Sequence, residues 1–131
     1  MAMNNMNTPE YFQLAEDYAC YRPVGQVSFP QAIELVSTAI EYSRDNQIRK
    51  LLVDTTELTG FHPPTTLERF ELGERCAIAA KGAVKVALVA RPEMLDPERF
   101  GVTVARNRGM LANAFDSESE AMEWLMNSSV D

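Results

Sequence analysis

Apolar positions along the chain follow two periods. Ala32, Ile33, Val36, Ala39 and Ile40 recur at steps of three and four, which lines one face of a helix. Ser28 and Gln31 have capping-box spacing, and Pro30 falls in the first turn, where a missing N–H costs nothing. The helix is therefore predicted to begin at Ser28 and to stop at Arg44-Asp45-Asn46. Leu51-Leu52-Val53, preceded by Ile48, is a short run apolar on both sides, as in a central parallel strand. Val84–Ala90 is a second such run, ended by Arg91-Pro92.

Thr65 with Glu68 is another capping pair, opening a helix that carries Phe70, Gly73, Ala77 and Ala80 on one side and stops near Gly82. Asp96-Pro97 predicts a third helix start, with Phe100 and Val104 facing inward and Gly109 closing it. Leu111–Phe115 is read as a last strand. Ser117 with Glu120 opens a final helix whose stripe is Ala121, Trp124 and Leu125. At the other end, Tyr11–Ala15 is predicted as an edge strand. Ala19–Arg22, running on to Val24–Val27, is predicted as its partner, with a turn at Asp17. Pro23 cannot donate to a ladder and belongs at the end or edge of that second strand.

The resulting order is β-β-α-β-α-β-α-β-α. Strands alternating with helices imply crossover connections and a mostly parallel sheet. The expected fold is a single-domain α/β sandwich, with a mixed, mostly parallel five-stranded sheet, about four helices and an N-terminal β-hairpin. Its decisive feature is Leu51–Val53 lying beside Val84–Val89 in the same direction.

The 131 residues suit one domain. At 46% apolar and 24% charged the composition is that of a folded protein. A net charge of −7 argues against nonspecific nucleic-acid binding and against attachment to an anionic membrane. No apolar run approaches the length of a membrane span, so an integral membrane protein is not expected. Met1–Pro9 is Asn-rich, without a basic residue or an apolar stretch, and reads as a flexible lead-in to a domain over 10–131 rather than a signal peptide. Cys20 and Cys76 are then free thiols in a cytoplasmic protein. Cys76 is read as a small buried apolar residue, although Arg75 beside it would lower its pKa. Five acidic residues and no basic one lie between Asp116 and Asp131, giving the wet face of the last helix or an acidic contact surface.

Four features give the chain a likeness to a known family. These are a hairpin ending in Gly25, the strand Leu51-Leu52-Val53-Asp54-Thr55-Thr56, the strand Lys85-Val86-Ala87-Leu88-Val89, and the closing phrase Ala114-Phe115-Asp116-Ser117 followed by Glu120-Ala121-Met122-Glu123-Trp124-Leu125. From about Tyr11 to Met126 the chain resembles the SpoIIAA-like branch of the STAS superfamily (STAS/SEC14-like domain proteins). The resemblance implies a bacterial, non-enzymatic regulatory or protein-interaction module, its partner a protein or a second copy of itself in a homodimer. The SEC14-like side implies instead a carrier of a small apolar molecule or lipid. Family members that antagonise anti-sigma factors bind a kinase and are switched by phosphorylation of a Ser in an Asp-Ser-Ser-Gly turn. The matching positions here are Asp54, Thr55 and Thr56, which makes Thr56 the phosphorylation candidate. Glu57 replaces the turn's Gly, a departure because that Gly supplies the free φ. Without phosphorylation, Thr55 and Thr56 simply satisfy backbone groups at a strand end.

Ligands of open α/β sheets gather beyond the carboxyl ends of the strands. Asp54, Thr55, Thr56, His62 and Arg91 are therefore expected around one rim. A hydrolase using Thr56 as nucleophile, His62 as base and Asp54 as its partner can be written from these letters, but there is no G-x-S-x-G elbow to hold the nucleophile. No spacing suits zinc or calcium, and no G-x-G-x-x-G or Walker loop is present, so no metal or cofactor is expected. Arg99 and Arg106 lie seven apart on one face of the third helix, where they would receive an anionic partner or, more simply, pair with surface acids such as those of the last helix. Phe100, Val102, Val104, Met110 and Leu111 make that segment apolar on more than one side, which suits a lid over a pocket or a dimer patch.

Overall fold

Each apolar run becomes a strand, in the order β1 (Phe12–Leu14), β2 (Ala19–Tyr21), β3 (Gly25–Gln26), β4 (Lys50–Asp54), β5 (Leu58–Thr59), β6 (Lys85–Val89) and β7 (Ala112–Phe115). The helices are α1 (Phe29–Asp45), α2 (Thr66–Ala80), α3 (Phe100–Asn107) and α4 (Glu118–Met126). The computed structural model describes residues 8–127. Most of the lead-in expected for Met1–Pro9 lies outside the described residues. Within it, Thr8 Oγ1 and the Tyr42 hydroxyl are hydrogen-bonded at 2.8 Å.

The main sheet has the strand order β1-β2-β4-β6-β7. β1 is antiparallel to β2, and the remaining pairs are parallel. Leu51 stands opposite Val86, and Val53 opposite Leu88, so the two central runs do lie side by side in one direction. Alternation along β4 divides the core. Leu51 and Val53 face α1 and α2, joining Val36, Ile40, Ala77 and Ala80. Leu52 faces the other way, onto Ala121 and Leu125 of α4. One side of the sheet thus carries most of the helical mass, and α4 covers the opposite side. No helix among the described residues is long and apolar enough to cross a membrane.

Two of the three capping pairs close as reciprocal boxes, and the third forms only its Ser117 half. Ser28 and Thr65 each form a complete reciprocal box with Gln31 and Glu68. The Ser117 hydroxyl accepts from the Glu120 N–H at 3.2 Å.

Two predicted elements are corrected. Val24–Val27 does not extend β2. Its residues Gly25 and Gln26 leave the main sheet and pair in parallel with Leu58 and Thr59, inside the stretch expected to be loop. Gly60 closes that side ladder at φ 105°, with its Cα so near the Val27 carbonyl that a Cβ would stand 2.5 Å from the oxygen. The third helix also begins later than Asp96-Pro97 suggests. Asp96 does cap, but its Oδ2 accepts from the Phe100 N–H at 2.8 Å while Arg99 sits left-handed at φ 55°, so the chain turns once more before α3 starts. This rotates Phe100 outward, to 36% exposure, while Val104 stays buried as expected.

α3 lies against α2 and the sheet. Arg99 and Arg106 reach the neighbouring strand β7. Arg106 Nε donates to the Ala112 carbonyl at 2.9 Å, and Arg99 Nη1 donates to the Ala114 carbonyl and to Asn113 Oδ1. The Asn113 side chain also accepts from the Ala114 N–H at 2.8 Å. These backbone groups are on the side of β7 turned away from β6, because β7 bonds to β6 through Leu111 and Phe115. The guanidinium groups therefore cap a sheet edge. Arg108, by contrast, pairs with an acid, Glu74, at 3.2 Å.

Candidate functional site

The carboxyl end of β4 delivers Asp54, Thr55 and Thr56 in succession. Thr55 continues the ladder, its N–H and hydroxyl both donating to the Val89 carbonyl at 2.8 and 3.0 Å. Thr56 folds back on Asp54, whose Oδ1 accepts from both the Thr56 N–H (2.9 Å) and the Thr56 hydroxyl (2.7 Å). Such a turn lets a short polar side chain take over backbone duties at a strand end.

Two residues that sequence reasoning did not select complete the cluster. Arg22 follows β2, the neighbour of β4, and Glu118 opens α4 above it. Their side chains meet in a two-pronged pair, Nε to Oε2 at 2.7 Å and Nη2 to Oε1 at 2.8 Å. The Arg22 guanidinium holds the Glu118 carboxyl well down, to about 2, and a hydrogen bond from Asp54 acts in the same direction. Asp54 moves the opposite way. Burial, and then the carboxyl of Glu118 beside it, raise it above the ordinary carboxylate value despite the two bonds from Thr56. Of the two acids, Asp54 takes up a proton first. Cys20, on β2 beneath Arg22, is raised by burial.

The other expected rim residues stand apart from this cluster. Arg91 leaves β6 and reaches across to the Leu58 carbonyl at 3.4 Å, with Glu93 at 3.6 Å. It braces the loop beyond Thr56, since the Leu58 N–H in turn donates to the Thr55 carbonyl at 3.0 Å. His62 is exposed in that loop, where the neighbouring Phe61 packs edge-on against Phe29 of α1 at 5.5 Å between centroids. The Thr56 hydroxyl gives its proton to Asp54, and no bond joins it to the His62 imidazole. The relay of Thr56, His62 and Asp54 that these letters allow is therefore not assembled. Among the described residues no three His, Cys, Asp or Glu side chains are grouped to hold a metal ion.

The two thiols are free and buried. Cys76 lies inside the α1–α2 core, and its thiol is pushed up to about 12 by burial, which outweighs the opposing pull of Arg75. Arg75 itself points outward to Glu34 at 2.9 Å.

Comparison with protein-family models, with curated proteins and with solved structures finds no match for this chain.

The opposite shifts of the paired acids carry a pH signature. Glu118 is depressed, so the stability from its pair with Arg22 is whole above about 4.5, the value for an unperturbed Glu, and is lost as pH falls from there toward about 2. Asp54 is raised, so ionising it costs the folded state as pH rises. Asp54→Asn keeps an oxygen for both Thr56 donors and removes that cost. Its urea midpoint is expected to match the wild type at pH 3 and to equal or exceed it at pH 7, by less than about 1 kcal/mol. A lower midpoint at pH 7 would show instead that the carboxylate charge is what holds the Thr56 turn.

Proposed function

We propose that this chain is a STAS-like module of the SpoIIAA-like type, cytoplasmic and non-enzymatic, that acts by binding a protein partner. The observation that carries the reading is the convergence of Arg22, Asp54, Thr56 and Glu118 at the strand ends, followed along the chain by the exposed residues Glu57 and His62. Ions and hydroxyl are already satisfied within the cluster, which makes it a shaped polar surface rather than a nucleophile held ready for attack. The parallel β4–β6 pair, the hairpin in front of it and the closing α4 agree with the arrangement expected of such modules.

Thr56 remains the position to examine for a regulatory phosphate. Its hydroxyl is half-buried and committed to Asp54, and a phosphate there would meet the charges of Asp54 and Glu118. Modification on this reading opens the turn instead of tightening it.

The test is a side-by-side affinity capture from the source cells with the wild type and the Glu57→Arg/His62→Glu variant, both substitutions being at exposed loop positions. A protein recovered with the wild type and at least tenfold less with the variant is the expected outcome. Equal recovery of every captured protein would overturn the placement of the contact surface on this rim.

A further inference from the structure

Beneath α3 the structure leaves a half-open cavity of about 110 Å³, bounded by Leu72 and Cys76 of α2, Val102 and Ala105 of α3, and Ala112 and Ala114 of β7. Its origin is a mismatch in side-chain size. Gly73 and Gly101 let α2 and α3 touch backbone to backbone, for a Cβ on Gly73 would stand 2.5 Å from the Gly101 carbonyl oxygen. Beyond that contact, alanines at 105, 112 and 114 are too short to fill the space between helix and sheet.

We propose that this cavity is a binding site for a small uncharged apolar molecule, no larger than a single six-membered carbon ring. Three observations define that ligand. The size is set by the volume, since an apolar cavity of about 150 Å³ accommodates benzene, whereas lipid-sized and drug-sized ligands fill clefts of about 300–1,000 Å³. The lack of polarity follows from the lining. The walls are mostly aliphatic, and the oxygen of their one amide side chain, Asn113, is engaged by Arg99 and the Ala114 N–H. The lack of charge follows from the rim. Arg69, Asp96 and Arg99 border the space, but Arg69 donates to the Met94 carbonyl, Asp96 accepts from the Glu98 and Phe100 N–H groups, and Arg99 is spent on β7. The cover is the eight-residue α3, held to β7 by Arg99 and Arg106.

This site lies under α3 and stands independently of the partner surface at the β4 end. Methyl-resolved NMR of the whole chain, titrated with benzene, tests it. Saturable shifts are expected at Leu72, Val102 and Met110, together with a higher unfolding temperature. Ala105→Leu and Ala112→Val, which fill the space from opposite walls, should each weaken binding at least tenfold, and either variant suffices if the other fails to fold. Benzoate should bind at least tenfold more weakly than benzene. Absence of saturable shifts in the wild type, or equal benzene binding in the filled variants, would overturn the site. Benzoate binding as well as benzene would overturn its stated chemistry.

Discussion

Gly73→Ala is expected to destabilise the fold by about 2 kcal/mol, lowering the unfolding midpoint by roughly 6–10 °C. Helix propensity alone argues the other way, because alanine is favoured over glycine in a helix interior by about 1 kcal/mol. The contact decides. The new Cβ would meet the Gly101 carbonyl oxygen at 2.5 Å and the Val104 side chain at 3.1 Å. The first of these is backbone and cannot swing aside, so α2 and α3 must separate. Chemical denaturation of the two proteins measures the difference, and an unchanged or raised midpoint for the variant would mean that the helices do not touch at this point. Gly73→Val should be worse, since it enlarges the clash and gives up propensity as well.

Leu125→Ala should cost about 3 kcal/mol, within the range for emptying a fully buried leucine site. α4 has a narrow footing. Only Ala121 and Leu125 are its fully buried anchors, set among Cys20, Leu52, Ala87 and Val89, with Met122 and Trp124 at the margin. Its two ends are tied by charge. Arg22 grips Glu118 at the start, and Lys85 Nζ donates to the Trp124 and Asn127 carbonyls at 2.9 and 3.0 Å at the finish. With Leu125 cut back, those ties hold a helix that no longer fills its seat. Hydrogen exchange of the amides in α4 should then accelerate more than that in α1, whereas equal acceleration throughout would show that α4 is not a separable unit.

The central sheet was legible because its signals are local. Leu51–Val53 and Val84–Val89 are continuous apolar runs, and Ser28, Thr65 and Ser117 each place a hydroxyl three residues ahead of a long polar side chain. The β3–β5 ladder was not legible. Two-residue strands carry no period, and the turn between Val27 and Gly60 depends on backbone approach rather than on pattern. At Asp96-Pro97 the start signal is real, but the left-handed Arg99 that delays α3 leaves no mark in an arginine codon's place in the chain. The candidate site divides along the same line. Asp54 and Thr56 are neighbours and could be read together, whereas Arg22 and Glu118 are 96 positions apart and meet only because β2 lies beside β4 under the start of α4.

The capped margin of β7 has a consequence for how chains of this protein can associate. Amyloid-type growth by strand addition needs two open margins, one to accept and one to offer. Here Arg99, Arg106 and Asn113 already occupy the outward hydrogen-bonding groups of one margin. Within the main sheet, main-chain pairing with another copy is therefore left to the three-residue β1 side, and two copies joined there leave that sheet no open margin for a third.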